Sequence, residues 1–145
     1  MSDTIRFGIV QGRLTQSPPG CLQWFPQDSW QTEFDTASKI GIDYIELIAE
    51  VQHNPKNPIW TDSGVLDIKR LAKKNNLTLH ALCNDYIIEN HFLEEGVISQ
   101  NIDLIKQARK IGIEKYILPF FENSELSLDN MQDYIEPIRK VAKAA

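Results

Sequence analysis

Ala37-Ser38-Lys39-Ile40-Gly41-Ile42-Asp43 and Ala108-Arg109-Lys110-Ile111-Gly112-Ile113-Glu114 are two versions of one phrase. Each closes a helical pattern, places a glycine stop, and opens an apolar run that reads as a strand. The junction Asn75-Asn76-Leu77 falls midway between them. The unit is therefore about 35 residues long, close to the βα unit of an eight-fold barrel. Any helix-to-strand junction favours glycine, so the likeness of the two phrases has an ordinary explanation too. The spacing holds under either one.

Working outward, the hydrophobic period switches repeatedly between strand-like and helix-like. Residues 5–10 read as a first buried strand. Asp28 reads as a helix N-cap, with Gln31 three residues on as in a capping box. Trp30, Phe34, Ala37 and Ile40 follow at helical spacing. Residues 42–48 give a second strand. Leu66, Ile68, Leu71 and Ala72 give a helix ending near Asn75. Residues 77–83 form a third strand. A helix over about 94–111 presents Ile98, Ile102, Ile105 and Ala108 on one face, and residues 113–121 form a fourth strand. A last helix starts near Ser127 or Asp129, and Pro137 should kink or restart it. The order βαβαβαβα implies a parallel sheet with helices outside it, an α/β fold. We divide it into four βα units of one domain, about 5–41, 42–76, 77–112 and 113–145.

Composition narrows the functional classes. The chain has 145 residues, 42% hydrophobic and 24% charged, with a net charge of −5. That balance excludes disorder as the main state. No apolar run approaches the ~20 residues of a membrane span, and no signal peptide is expected from the opening residues. Cys21 and Cys83 are too few for a disulfide framework, so a cytoplasmic protein with reduced thiols is expected. Lys and Arg form no stripe, which argues against nucleic-acid binding.

Four parallel strands leave the first and last with unpaired edges. Three arrangements answer this. The chain is the front of a longer product; or two copies pair through the open edges, as a homodimer; or the sheet is open and doubly wound with order 2-1-3-4. A half-barrel would instead have order 1-2-3-4.

A family resemblance supports the half-barrel. Phe7-Gly8-Ile9-Val10-Gln11-Gly12-Arg13-Leu14, Phe25-Pro26 and Trp30 come first. Gly41-Ile42-Asp43-Tyr44-Ile45-Glu46-Leu47 and Asn57-Pro58-Ile59-Trp60-Thr61-Asp62-Ser63-Gly64 follow, then Cys83-Asn84-Asp85-Tyr86 and Leu118-Pro119-Phe120. As an ordered set over nearly the whole chain, they resemble the N-terminal half of a sugar phosphate isomerase/epimerase of the xylose-isomerase-like TIM-barrel superfamily. The resemblance implies a sugar or sugar-phosphate substrate and metal-assisted proton transfer next to a carbonyl. It also implies a divalent metal (manganese, magnesium, zinc or cobalt) held by Glu, Asp and His side chains. Those ligands come mainly from the second half of the barrel. The resemblance thus implies that most of the metal site and the catalytic carboxylates lie outside these residues.

Barrel active sites sit at the C-terminal strand ends, so polar residues there are the candidates. Glu46 alternates with Ile45 and Leu47 and should point into the mouth, to bind a hydroxyl or support a metal; a rim ion pair is the plainer role. Asp85 shares a face with Ala81 and Cys83, opposite His80, Leu82 and Asn84, and either contacts substrate or caps a turn. Cys83 is expected to be a buried structural thiol. Gln11 and Arg13 follow the first strand. Arg13 would clamp a phosphate or carboxylate, or else hold the long loop by a salt bridge. Trp24, Phe25 and Trp30 either wall a sugar pocket or pin that loop. Glu122 follows the fourth strand. His53 and His91 are weak metal-ligand candidates, and His80 is expected to be buried in a hydrogen bond. No catalytic residue is assigned from sequence.

Overall fold

The computed structural model describes residues 5–21 and 23–145. Four parallel strands form one sheet: β1 (Gly8–Val10), β2 (Tyr44–Ala49), β3 (Ala81–Asn84) and β4 (Lys115–Ile117). Their order is β1-β2-β3-β4. This is the half-barrel order, and it overturns the doubly wound alternative, which needs β1 between β2 and β3.

The connecting helices are α1 (Trp30–Lys39), α2 (Asp62–Lys74), a short α3 (Tyr86–Glu89), α4 (Glu95–Ile111) and α5 (Met131–Ala142). Short 3-10 turns at Pro58–Trp60 and Glu122–Ser124 precede α2 and α5. The two glycines of the repeated phrase do the same work. Gly41 and Gly112 follow α1 and α4 with φ of +80° and +95°, a conformation that only glycine adopts without strain.

Core packing follows the alternation along the strands. Ile45, Leu47 and Ala49 of β2 and Leu82 of β3 are buried with Phe34, Ala37, Ile68, Leu71, Ala72, Leu104 and Ala108 of the helices. A second cluster lies towards the end of the chain. There Phe92 stacks on Tyr134, with ring centroids 5.8 Å apart, and Phe120 meets both rings edge-on. Polar groups also meet across the sheet–helix layer. Asn84 donates to Oδ1 of Asn101 at 2.8 Å, and the Tyr116 hydroxyl donates to the same oxygen at 3.0 Å.

The outcome departs from the sequence pattern at several points. The cap of α1 is Ser29, not Asp28, and no side-chain capping bond forms. Ile40 and Leu66 share the apolar helical spacing of their segments, but both are exposed: Ile40 lies beyond the last turn of α1, and α2 buries Val65 instead. The fourth strand is three residues long, because Leu118 to Phe121 leave the ladder. Helix α5 begins only at Met131 and runs through Pro137 as one element. The bridge Tyr44↔Thr78 is one residue out of step with Leu47↔Leu82. That extra residue breaks the alternation before β3 and sets His80 against Tyr44, ring centroids 4.9 Å apart, rather than in line with Leu82. His80 also meets Glu114 at 2.9 Å.

The motif Asn57 to Gly64 has a packing reason. Asn57 caps the 3-10 turn, and Thr61 caps α2 by accepting the Gly64 N–H at 3.1 Å. A Cβ on Gly64 would lie 2.1 Å from the Pro58 carbonyl oxygen. Backbone cannot yield as a side-chain tip can. Gly64→Ala should therefore push α2 off the turn and cost about 2 kcal/mol or more, read as a lower urea midpoint with an unchanged slope.

Candidate functional site

The strands end in a shared concave mouth, built from the register outward. Leu47 pairs with Leu82 and Ile48 with Cys83. The ladder continues as the Asp85 N–H donates to the Ala49 carbonyl at 2.9 Å. Residues opposite one another in a parallel ladder share a face. Ile45 and Leu47 are buried against the helices, so Glu46 and Ile48 face the other way, with Cys83 and Asp85.

Asp85 is 2% exposed and Glu46 half-buried. Burial pushes the Asp85 carboxyl above the usual range, and the Cys83 thiol, which donates to its Oδ1 at 3.1 Å, offsets this only partly. Glu46 is raised first by burial and then by the neighbouring charge of Asp85. Burial and the two carboxylates push the Cys83 thiol well up, so it stays protonated and is no nucleophile. Two carboxyls and a neutral thiol thus share one face of the sheet, with no cation paired to either carboxyl among the described residues.

A cavity of about 470 Å³ opens at this mouth. Ile48, Glu50 and Val51 after β2 line it, with Asp85, Ile88 and Glu89 after β3, and Phe121 and Glu122 after β4. Gly20, Cys21 and Gln23 of the β1–α1 loop close one side. Glu50 is held by Asn54 and Asn57, each donating at 2.8 Å, and Glu89 by Gln52 at 2.8 Å. Glu122 sits at a φ of +51° in its 3-10 turn.

The other sequence candidates fall elsewhere. Gln11 is buried, and its Oε1 accepts the Ile48 N–H at 3.3 Å. It takes the bond that β1 would make had the backbone not turned away at Gly12. Arg13 is exposed, lines no part of the cavity, and has no ion-pair partner among the described residues. Trp24 pins the loop: its Nε1 donates to the Gly12 carbonyl at 2.9 Å. Phe25 and Trp30 are buried beside Phe34. His53 is exposed against Trp60 in a separate groove on the outside, lined also by Lys106 and Lys110 of α4. His91 is exposed, and its Nδ1 accepts the Leu93 N–H at 3.3 Å. Neither histidine joins Glu46 or Asp85. No three His, Cys, Asp or Glu side chains among the described residues come together to hold a cation. The divalent metal implied by the family resemblance therefore does not fit these residues on their own.

One organising residue escaped the sequence reading. Glu33 of α1 is 1% exposed. Its carboxylate accepts the N–H groups of Gly12 at 2.9 Å and Leu14 at 3.1 Å, and the Thr15 hydroxyl at 3.4 Å. Burial raises its pKa and these donors pull it back. A glutamate at a helical core position, four residues before Ala37, was the available signal.

No protein-family model matches the sequence, and no curated protein matches it. Among solved structures the chain is similar to D-psicose 3-epimerase from Clostridium cellulolyticum H10, whose structure was determined with D-tagatose. The TM-score is 0.65 at 17% identity, over 97% of this chain and 48% of that one. The chain thus spans about half the length of the structure it matches. At this identity the likeness establishes the fold, a (β/α)4 half of a TIM barrel, and the strand order agrees with it. No helix among the described residues is long and apolar enough to cross a membrane.

The raised carboxyl of Glu46 has a stability consequence. Its folded pKa lies above its unfolded value, so ionising it opposes folding. That penalty is absent below the unfolded pKa, about pH 4, and complete above the folded one. Glu46→Gln should therefore stabilise the chain at pH 7, by about 1 kcal/mol or less for a half-buried group. The gain should fade as the pH falls to about 4, as thermal melts across that range would record.

Proposed function

We propose that this half-barrel serves an isomerase or epimerase that moves a proton next to the carbonyl of a sugar or sugar phosphate. One observation carries the reading: Asp85 and Glu46 face one mouth from neighbouring strand ends, desolvated and, among the described residues, without cationic partners. Such carboxyls are costly to the fold and suited to accepting hydroxyl hydrogen bonds. The epimerase likeness supports the same reading at the level of fold. In it, Asp85 and Glu46 bind and orient the substrate hydroxyls, and Phe121 offers a ring face to the sugar's C–H groups. Glu122 reaches the sugar from the β4 side. A divalent metal would polarise the substrate oxygens. Since the residues present do not suffice to hold one, no step is drawn through it.

The test is binding of D-tagatose to the 145-residue chain by ligand-observed NMR, beside Asp85→Asn. The amide keeps an acceptor for the Cys83 thiol, so the fold should survive. Affinity should fall about tenfold to a hundredfold, the loss of a hydrogen bond to a charged group. Equal binding by both proteins would remove Asp85 from the reading.

The open edges favour a second reading, in which the chain acts through self-association. β1 and β4 have neighbours on one side only. Phe7 beside β1 is 64% exposed, and Ile117, Leu118 and Phe120 at β4 are only partly covered. A second copy would pair these edges and close a barrel-like ring. Light scattering should then give twice the chain mass. A monomer that binds no hydrophobic dye would rule this out.

A further inference from the structure

Resting on the reading that the mouth binds a sugar, we infer that it takes an uncharged polyol and turns away the phosphorylated form. Four carboxylates line the cavity, from Glu50, Asp85, Glu89 and Glu122, with Glu46 behind them on the same face. No Lys, Arg or His lines it among the described residues.

The negative charge is not neutralised locally. Glu50 and Glu89 are held by the uncharged amides of Asn54, Asn57 and Gln52. Asp85, 98% buried by its 2% exposure, has a thiol as its hydrogen-bond donor and no cation. Arg13, the residue suited to clamping a phosphate, is exposed and outside the lining.

A phosphate monoester would bring nearly two further negative charges against these carboxylates, of which Asp85 is buried, Glu50 half-buried and Glu89 and Glu122 exposed, so like charges meet with no counter-charge in the lining and the repulsion is open to screening by salt. A neutral polyol fits instead. Its hydroxyls donate to the carboxylates, and its C–H face meets Val51, Ile88 and Phe121. The cavity of about 470 Å³ has room for a single monosaccharide.

The experiment compares D-tagatose with D-tagatose 6-phosphate on the 145-residue chain at pH 7.5 and low salt. D-Tagatose should bind, with its phosphate about tenfold weaker or worse. Glu89→Gln should narrow that gap by relieving repulsion of the phosphate, and added salt should narrow it too. Phosphate binding as tight as D-tagatose or tighter would overturn this inference and leave the sugar reading standing. Binding of neither compound would overturn both.

Discussion

The pairing of β2 with β3 is the interaction on which the rest depends. Leu47 opposite Leu82 and Ile48 opposite Cys83 decide which side chains meet the helices and which do not. A slip of one residue would turn one strand over against the other, sending either Glu46 or Asp85 into the helix-covered core, where an unpaired carboxylate is prohibitively costly. It would also bring Leu47 or Leu82 onto the open face. The apolar alternation of β2 and the fully buried β3 hold the register, and the register makes the mouth.

Two kinds of buried carboxyl show what the fold can satisfy and what it leaves free. Glu33 has donors on two backbone N–H groups and a hydroxyl, and it fastens the long β1–α1 loop beside the mouth. Asp85 has one weak thiol donor, and Glu46 is raised by burial and by its neighbour. The first is a structural fastening. The second pair is desolvated with little return to stability, the pattern expected where a ligand completes the bonding.

Much of the fold was legible because its signals are local. The glycine stops after α1 and α4, the strand cores and the 94–111 helix follow from periodicity and cap chemistry. The strand order did not follow from periodicity, since both a half-barrel and a doubly wound sheet alternate β and α; the ordered family motifs favoured the barrel. Alternation placed Glu46 and Asp85 correctly on one face. It failed at His80, where an extra residue shifts the pleat, and sequence shows no sign of such a bulge. Gln11 reads as a site residue because it follows a strand end, and Trp24 because sugar faces stack on aromatic rings. Their bonds to Ile48 and Gly12 depend on how the loop folds back, which no local rule supplies. Glu33 went unread for the same reason: its partners lie about twenty residues earlier.

The central claim is that Glu46 and Asp85 share one face at the strand ends, both desolvated, and that Glu46 feels the charge of Asp85. Carbon-13 NMR titration of the side-chain carboxyls tests it most directly. The account predicts that both titrate above the ordinary carboxylate range, and that Asp85→Asn draws Glu46 downward. Ordinary titration of both groups, or a Glu46 indifferent to residue 85, would contradict it.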